Sequence, residues 1–203
     1  MSLAAATYFN HLRAYVNGDY VVHDGSGGKV VLSETYFRPE DVKPQVRRIE
    51  LKLPGLGMAF KLDNDDFEHS KKRIKPALFH SLNDTAKPWS KRCDFVVFFV
   101  SQRSFNADCI EFKSKSLTTD KIVPQLKAGA SWVNSLKRTI EHYTGDKRMI
   151  RLRKFVFADN ANPDAYLDEN RQFLADPSVR YYQFDEVHGQ LITDLANSSV
   201  QEI

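Results

Sequence analysis

Apolar residues in this chain fall into helically spaced, alternating and continuous runs whose order outlines a mixed α/β protein. Tyr8, Leu12 and Tyr15 recur at helical spacing within residues 5–16, and Asn17-Gly18-Asp19 closes the segment, which predicts a short N-terminal helix. Tyr20-Val21-Val22 and Lys29-Val30-Val31-Leu32 flank a glycine-rich loop at 24–28 and predict a hairpin. Residues 49–53 and 58–62 alternate apolar with polar positions across Pro54-Gly55-Leu56-Gly57, so a second, half-exposed hairpin is expected. Asp65 or Asp66 would cap a helix running toward Phe79, and residues 81–92 read as a polar loop.

The pattern sharpens after Asp94. Phe95-Val96-Val97-Phe98-Phe99-Val100 is apolar throughout, which predicts a central strand covered on both faces. After a short polar break the next strand is expected at roughly 108–113, with Cys109, Glu111 and Lys113 on one face and Ile110 and Phe112 on the other. A long helix follows Thr118-Thr119-Asp120, carrying Leu126, Ala130, Val133, Leu136, Ile140 and Tyr143 as an apolar stripe. Pro124 argues that the regular helix begins there rather than at Asp120. Residues 149–158 predict a strand, 163–174 a helix, 179–184 a strand and 191–195 a short final helix.

With 203 residues and 42% hydrophobic content, the chain suits one core and one domain. Residues 1–64 read as a β-rich N-terminal elaboration, 65–158 as the core, and 159–203 as an acidic C-terminal elaboration. No stretch approaches the roughly 20 apolar residues of a membrane span, and the first six residues lack a basic start with an apolar core, so a cytoplasmic protein is expected. Cys93 and Cys109 are too few for a disulfide framework and fit buried thiols. The net charge of +3 hides a strong asymmetry. Residues 1–70 hold 8 Lys/Arg against 10 Asp/Glu, 71–154 hold 19 against 7, and 155–203 hold 2 against 9. A basic middle segment would draw a polyanion toward whatever chemistry it carries.

That chemistry centres on three positions. Asp94 opens the apolar strand, and Glu111-Phe112-Lys113 places a carboxylate and an ammonium group on one face of the next. Acid-x-Lys triplets arise by chance about once or twice in a chain of this length. Asp41-Val42-Lys43 and Glu50-Leu51-Lys52 are further examples, but neither follows an apolar strand led by an acid. The glycine cluster at 24–28 lacks the Gly-Lys-Ser/Thr ending of a phosphate loop, and the six histidines are scattered without zinc spacing.

The order of helix, strand opening on Asp94, strand with Glu111-Phe112-Lys113, helix with Gln125, and strand resembles the PD-(D/E)xK nuclease superfamily, over about residues 65–158. Cys93 stands where the family's name puts a proline, and Gly129 stands where a Gln-x-x-x-Tyr branch has its tyrosine. The resemblance implies a restriction-endonuclease-like core, a mixed sheet flanked by helices, and Mg²⁺-dependent hydrolysis of DNA, with Mn²⁺ as a substitute. It implies Asp94 and Glu111 as metal ligands, Lys113 as the catalytic lysine and Gln125 in support. Hard cations held by one or two carboxylates and water suit that reaction. Lys87, Lys91, Arg92, Lys115 and Lys127 are the expected phosphate contacts, and a homodimer or a partner subunit is compatible with cutting two strands. The alternatives are an inactive nuclease-fold subunit that binds nucleic acid, or a protein-interaction module.

Overall fold

A computed structural model describes residues 3–25, 27–36, 43–63, 91–102, 104–114, 117, 119–159 and 164–203. The expected helix at 65–79, the loop at 81–90, Lys87, Trp89 and Lys115 lie outside the described residues. Chain order is α1 (Leu3–Tyr15), β1 (Val21–His23), β2 (Lys29–Tyr36), β3 (Gln45–Lys52), β4 (Gly57–Lys61), β5 (Phe95–Ser101), β6 (Ser104–Lys113), α2 (Thr119–Thr144), β7 (Ile150–Ala158), β8 (Gln172–Phe173), β9 (Asp176–Gln183), α3 (Phe184–Val187) and β10 (Gln201–Glu202).

Among the described residues, an eight-stranded mixed sheet organises the chain in the order β1-β4-β5-β6-β7-β9-β8, with β10 also pairing with β7. The pairs β4-β5 and β5-β6 are antiparallel, whereas β6-β7 and β7-β9 are parallel. The parallel step from β6 to β7 needs a crossover, and α2 supplies it. Strand β5 is buried on both faces, as its unbroken apolar run predicts. Val96, Phe98 and Val100 join the core beneath α1 and α2, while Phe95, Val97 and Phe99 join the core on the opposite face. The first core takes Tyr8, Phe9 and Leu12 from α1 and Leu126, Val133 and Ile140 from α2. Trp132 packs there against Phe60 and Phe98, with ring centroids 5.6 and 6.3 Å away. The second core lies beneath a separate two-stranded sheet, β2-β3, and the C-terminal segment around α3 and Ile192.

Five expectations need correction. The segments around residues 20–22 and 29–32 do not form a hairpin: β1 joins the edge of the large sheet beside β4, and β2 pairs with β3 along its whole length. The second expected hairpin fails for the same reason, because β3 and β4 belong to different sheets, and β4 is buried throughout rather than half exposed. Residues 164–174 form a 3-10 turn and the short edge strand β8 instead of a helix. Asp168 Oδ1 accepts the amides of Asn170 and Gln172, at 2.9 and 2.8 Å, and this local cap turns the chain away from helical pairing. Helix α2 starts at Thr119, before Pro124. Proline there forfeits one bond, to the exposed first turn, where the loss is cheap. The stripe on α2 also ends sooner than expected, since Tyr143 is exposed while Ile140 is buried.

The large sheet draws strands from residues 1–64 and 159–203 as well as from the middle of the chain. Among the described residues, no helix is long and apolar enough to cross a membrane.

Candidate active site

Strand pairing brings the sequence-selected residues together. Asp94 immediately precedes β5, and Glu111 and Lys113 lie near the end of β6, its antiparallel neighbour. Two hydrogen bonds lock the acids at this corner: Phe112 N donates to Asp94 Oδ2 at 2.6 Å, and Asp94 N donates to Glu111 Oε2 at 3.3 Å. Lys113 Nζ donates to Glu111 Oε1, and also to Gln125 Oε1 at 3.3 Å. Gln125 in turn donates through Nε2 to the carbonyl of Arg92 at 3.1 Å. The first turns of α2 are therefore tied to both the lysine and the chain entering β5.

These groups form the floor of a cavity of about 410 Å³. One wall comes from the end of the β2-β3 sheet, through Glu34, Tyr36 and Arg47, with Phe184 of α3 behind it. Lys121 and Gln125 line it from α2, and Asp63 from the segment after β4. The acids are almost wholly buried, with Glu111 1% exposed and Asp94 7%. Burial raises the Glu111 carboxyl from 4.5 to about 7 although the Lys113 ammonium, its hydrogen bond and the Asp94 amide pull it down, and Asp63 adds to the rise. Asp94 is pushed well above the usual carboxylate range, by burial first and then by the charges of Glu111 and Glu34, against the Phe112 amide and Lys113. Two neighbouring carboxylates that resist ionising together are the electrostatic complement of a divalent cation.

Asp94 and Glu111 present hard carboxylate oxygens, the donor type Mg²⁺ takes. Asp94 Oδ2 takes the Phe112 amide, and its Oδ1 has no hydrogen-bond partner among the described residues. Among the described residues, no group of three or more His, Cys, Asp or Glu side chains is placed to hold a metal ion. Two carboxylates with solvent filling the other positions is the open arrangement Mg²⁺ favours, since it keeps several of its waters.

Of the expected phosphate contacts, Lys91 and Lys127 are exposed, with Lys127 on α2 two residues past Gln125. Arg92 differs: it is 6% exposed, and its guanidinium donates to the carbonyl of Leu62 at 3.2 Å, so it braces the strand ends instead of facing solvent. Glu34, Arg47 and Asp63 also line the cavity. They arrive from strands distant in the chain, and no local motif marks them.

Cys93 and Gly129, the two departures from the family pattern, are in contact. A Cβ added to Gly129 would stand 2.4 Å from Cys93 Sγ and 3.4 Å from Cys109 Sγ. The glycine lets α2 pass close to both sulfurs, which are free thiols buried from solvent. Cys93 is held far above the ordinary thiol range, chiefly by its hydrogen bond with Cys109 and then by burial, which marks it as an unreactive packing group.

No family model matches the chain, and no curated protein or solved structure matches it either.

Proposed function

We propose that this protein is a Mg²⁺-dependent nuclease that hydrolyses phosphodiester bonds in DNA, built on a restriction-endonuclease-like core. The observation that carries the proposal is the meeting of Asp94, Glu111, Lys113 and Gln125 on one cavity floor through strand pairing and hydrogen bonds. The sequence of β5, β6, the α2 crossover and the parallel strand β7 supports the same core.

Asp94 and Glu111 would hold the metal ion, which supplies charge compensation at the phosphate and a more acidic bound water. Lys113 spends one N–H on Glu111 and one on Gln125. Its remaining N–H can meet a phosphate oxygen or the attacking water, and its charge offsets that of the scissile group. Gln125 fixes the lysine's position by anchoring its own amide to the Arg92 carbonyl. Lys121 at the rim adds a second positive charge facing the cavity.

The test is cleavage of single- and double-stranded DNA and RNA with Mg²⁺, Mn²⁺ or EDTA, comparing wild type with Glu111→Ala and Lys113→Ala. Metal-dependent cleavage lost in both variants is the expected result. Salt-dependent binding without any cleavage by the folded protein would assign a nucleic-acid-binding role instead.

A further inference from the structure

The cavity wall carries chemistry that phosphodiester hydrolysis does not require. The Arg47 guanidinium stands 4.3 Å from the centroid of the Phe184 ring and 5.8 Å from that of Tyr36. Asp159 holds the same guanidinium in an ion pair, and the Asp159 amide donates to the carbonyl of Lys113 at 3.3 Å. Arg47 is thus fixed on the catalytic strand from one side and on aromatic rings from the others, yet 21% of its side chain stays exposed. A phosphate contact alone needs no such bracing, because a flexible lysine at the rim serves that purpose. A planar cation set among aromatic rings is instead a surface on which a nucleobase stacks.

The cavity of about 410 Å³ has room for one small ligand, and the carboxylates lie at its buried floor. A base that is paired and stacked inside a duplex has both of its faces occupied, so it cannot also lie against Arg47 and Tyr36. An unpaired base has a face to offer.

We infer that the cavity takes one unpaired nucleotide, its base stacked on the wall of Tyr36 and Arg47 and its phosphate between Lys121 and the Asp94–Glu111 floor. This rests on the proposed nuclease function and narrows its substrate to single-stranded DNA or to duplexes with an unpaired nucleotide.

The experiment measures fluorescence anisotropy with a labelled single strand, the same sequence as a blunt duplex, and that duplex with one unpaired nucleotide. Ca²⁺ buffer is used for binding, and Mg²⁺ cleavage is assayed in parallel. The single strand and the interrupted duplex should bind more tightly than the blunt duplex. Arg47→Lys keeps the charge but removes the plane, and Tyr36→Leu keeps apolar bulk but removes the ring. Each should weaken unpaired-substrate binding by roughly tenfold, the scale of one lost base-stacking contact, and weaken blunt-duplex binding by clearly less. Thermal melting identifies any variant that fails to fold, and if Tyr36→Leu does so, Arg47→Lys decides. Equal binding of all three substrates, or full retention of the preference in a folded Arg47→Lys, overturns the inference. A preference that persists without Mg²⁺ cleavage by wild type overturns the nuclease function while upholding the stacking wall; cleavage without the preference does the reverse.

Discussion

Replacing Glu111 by glutamine should make the metal-free protein more stable at alkaline pH. Glutamine mimics the protonated acid in shape and charge, so it removes the cost of ionising a carboxyl that is 1% exposed. In the fold this carboxyl is raised from 4.5 to about 7. At about 1.4 kcal/mol for each tenfold change in proton affinity, the displacement corresponds to about 3 kcal/mol. Because the folded value lies above the unfolded one, the folded state holds the extra proton across this window. The contribution is complete below pH 4.5 and is lost as pH rises through about 7. Wild type and Glu111→Gln should therefore have similar stabilities near pH 4, and the variant should gain about 3 kcal/mol on wild type by pH 8. Relief of Asp94, whose proton affinity Glu111 also raises, acts in the same direction. Urea unfolding in EDTA at several pH values measures the gap, and parallel stability profiles for the two proteins would refute the reasoning. Adding Mg²⁺ at pH 8 should then stabilise wild type by mass action, about 2.7 kcal/mol at a hundredfold excess over Kd, and leave Glu111→Gln little changed.

Other outcomes follow from the same contacts. Lys113→Met should lower kcat by about a hundredfold or more while DNA affinity changes little, as single-turnover cleavage and anisotropy would show; comparable loss of both would make the lysine a binding group. Asp108 is wholly buried and pairs with Arg153 through bonds of 2.8 and 2.6 Å, while Arg153 also donates to the carbonyls of Leu195 and Ile192. Asp108→Ala should cost about 3–5 kcal/mol in chemical denaturation, and a loss below about 1 kcal/mol would contradict the buried pair. Gly129→Ala should destabilise by about 1–3 kcal/mol despite its better helix propensity, because its Cβ meets Cys93 Sγ. Cys93→Ala should cost less in that background than in wild type, and additive effects would deny the contact.

The corner that joins Glu111 and Lys113 was legible because strand periodicity is a local rule. Glu111 and Lys113 are two residues apart on one strand, so they share a face whatever the rest of the chain does. Strand partners were not legible, because pairing is decided by segments far apart. The glycines of the first and second loops looked like hairpin signals, yet they serve close packing between the two crossings from one sheet to the other. A Cβ on Gly25, whose φ is +70°, would stand 2.0 Å from the carbonyl oxygen of Gly57. Arg47 was missed for a related reason. It lies in an ordinary-looking basic pair, Arg47-Arg48, and only the packing of β3 beside Asp159 and Phe184 gives it a special place. The helix expected at 163–174 had adequate spacing, but the Asp168 cap and Arg171 at φ +59° commit the chain to a turn that feeds the sheet edge.

The division into two sheets separates inheritance of chemistry from inheritance of preference. The floor is written into β5, β6 and α2, whose residues sit in the main core and tolerate little change without loss of fold. The facing wall comes largely from β2 and β3, a strand pair with its own register and with exposed positions at its cavity end. Substitutions there can redraw what the cavity accepts while the carboxylates and lysine stay in place. On the proposed function, a lineage built on this plan can exchange substrates by editing one ribbon, and a laboratory library confined to residues 34–36 and 45–48 would sample the same freedom.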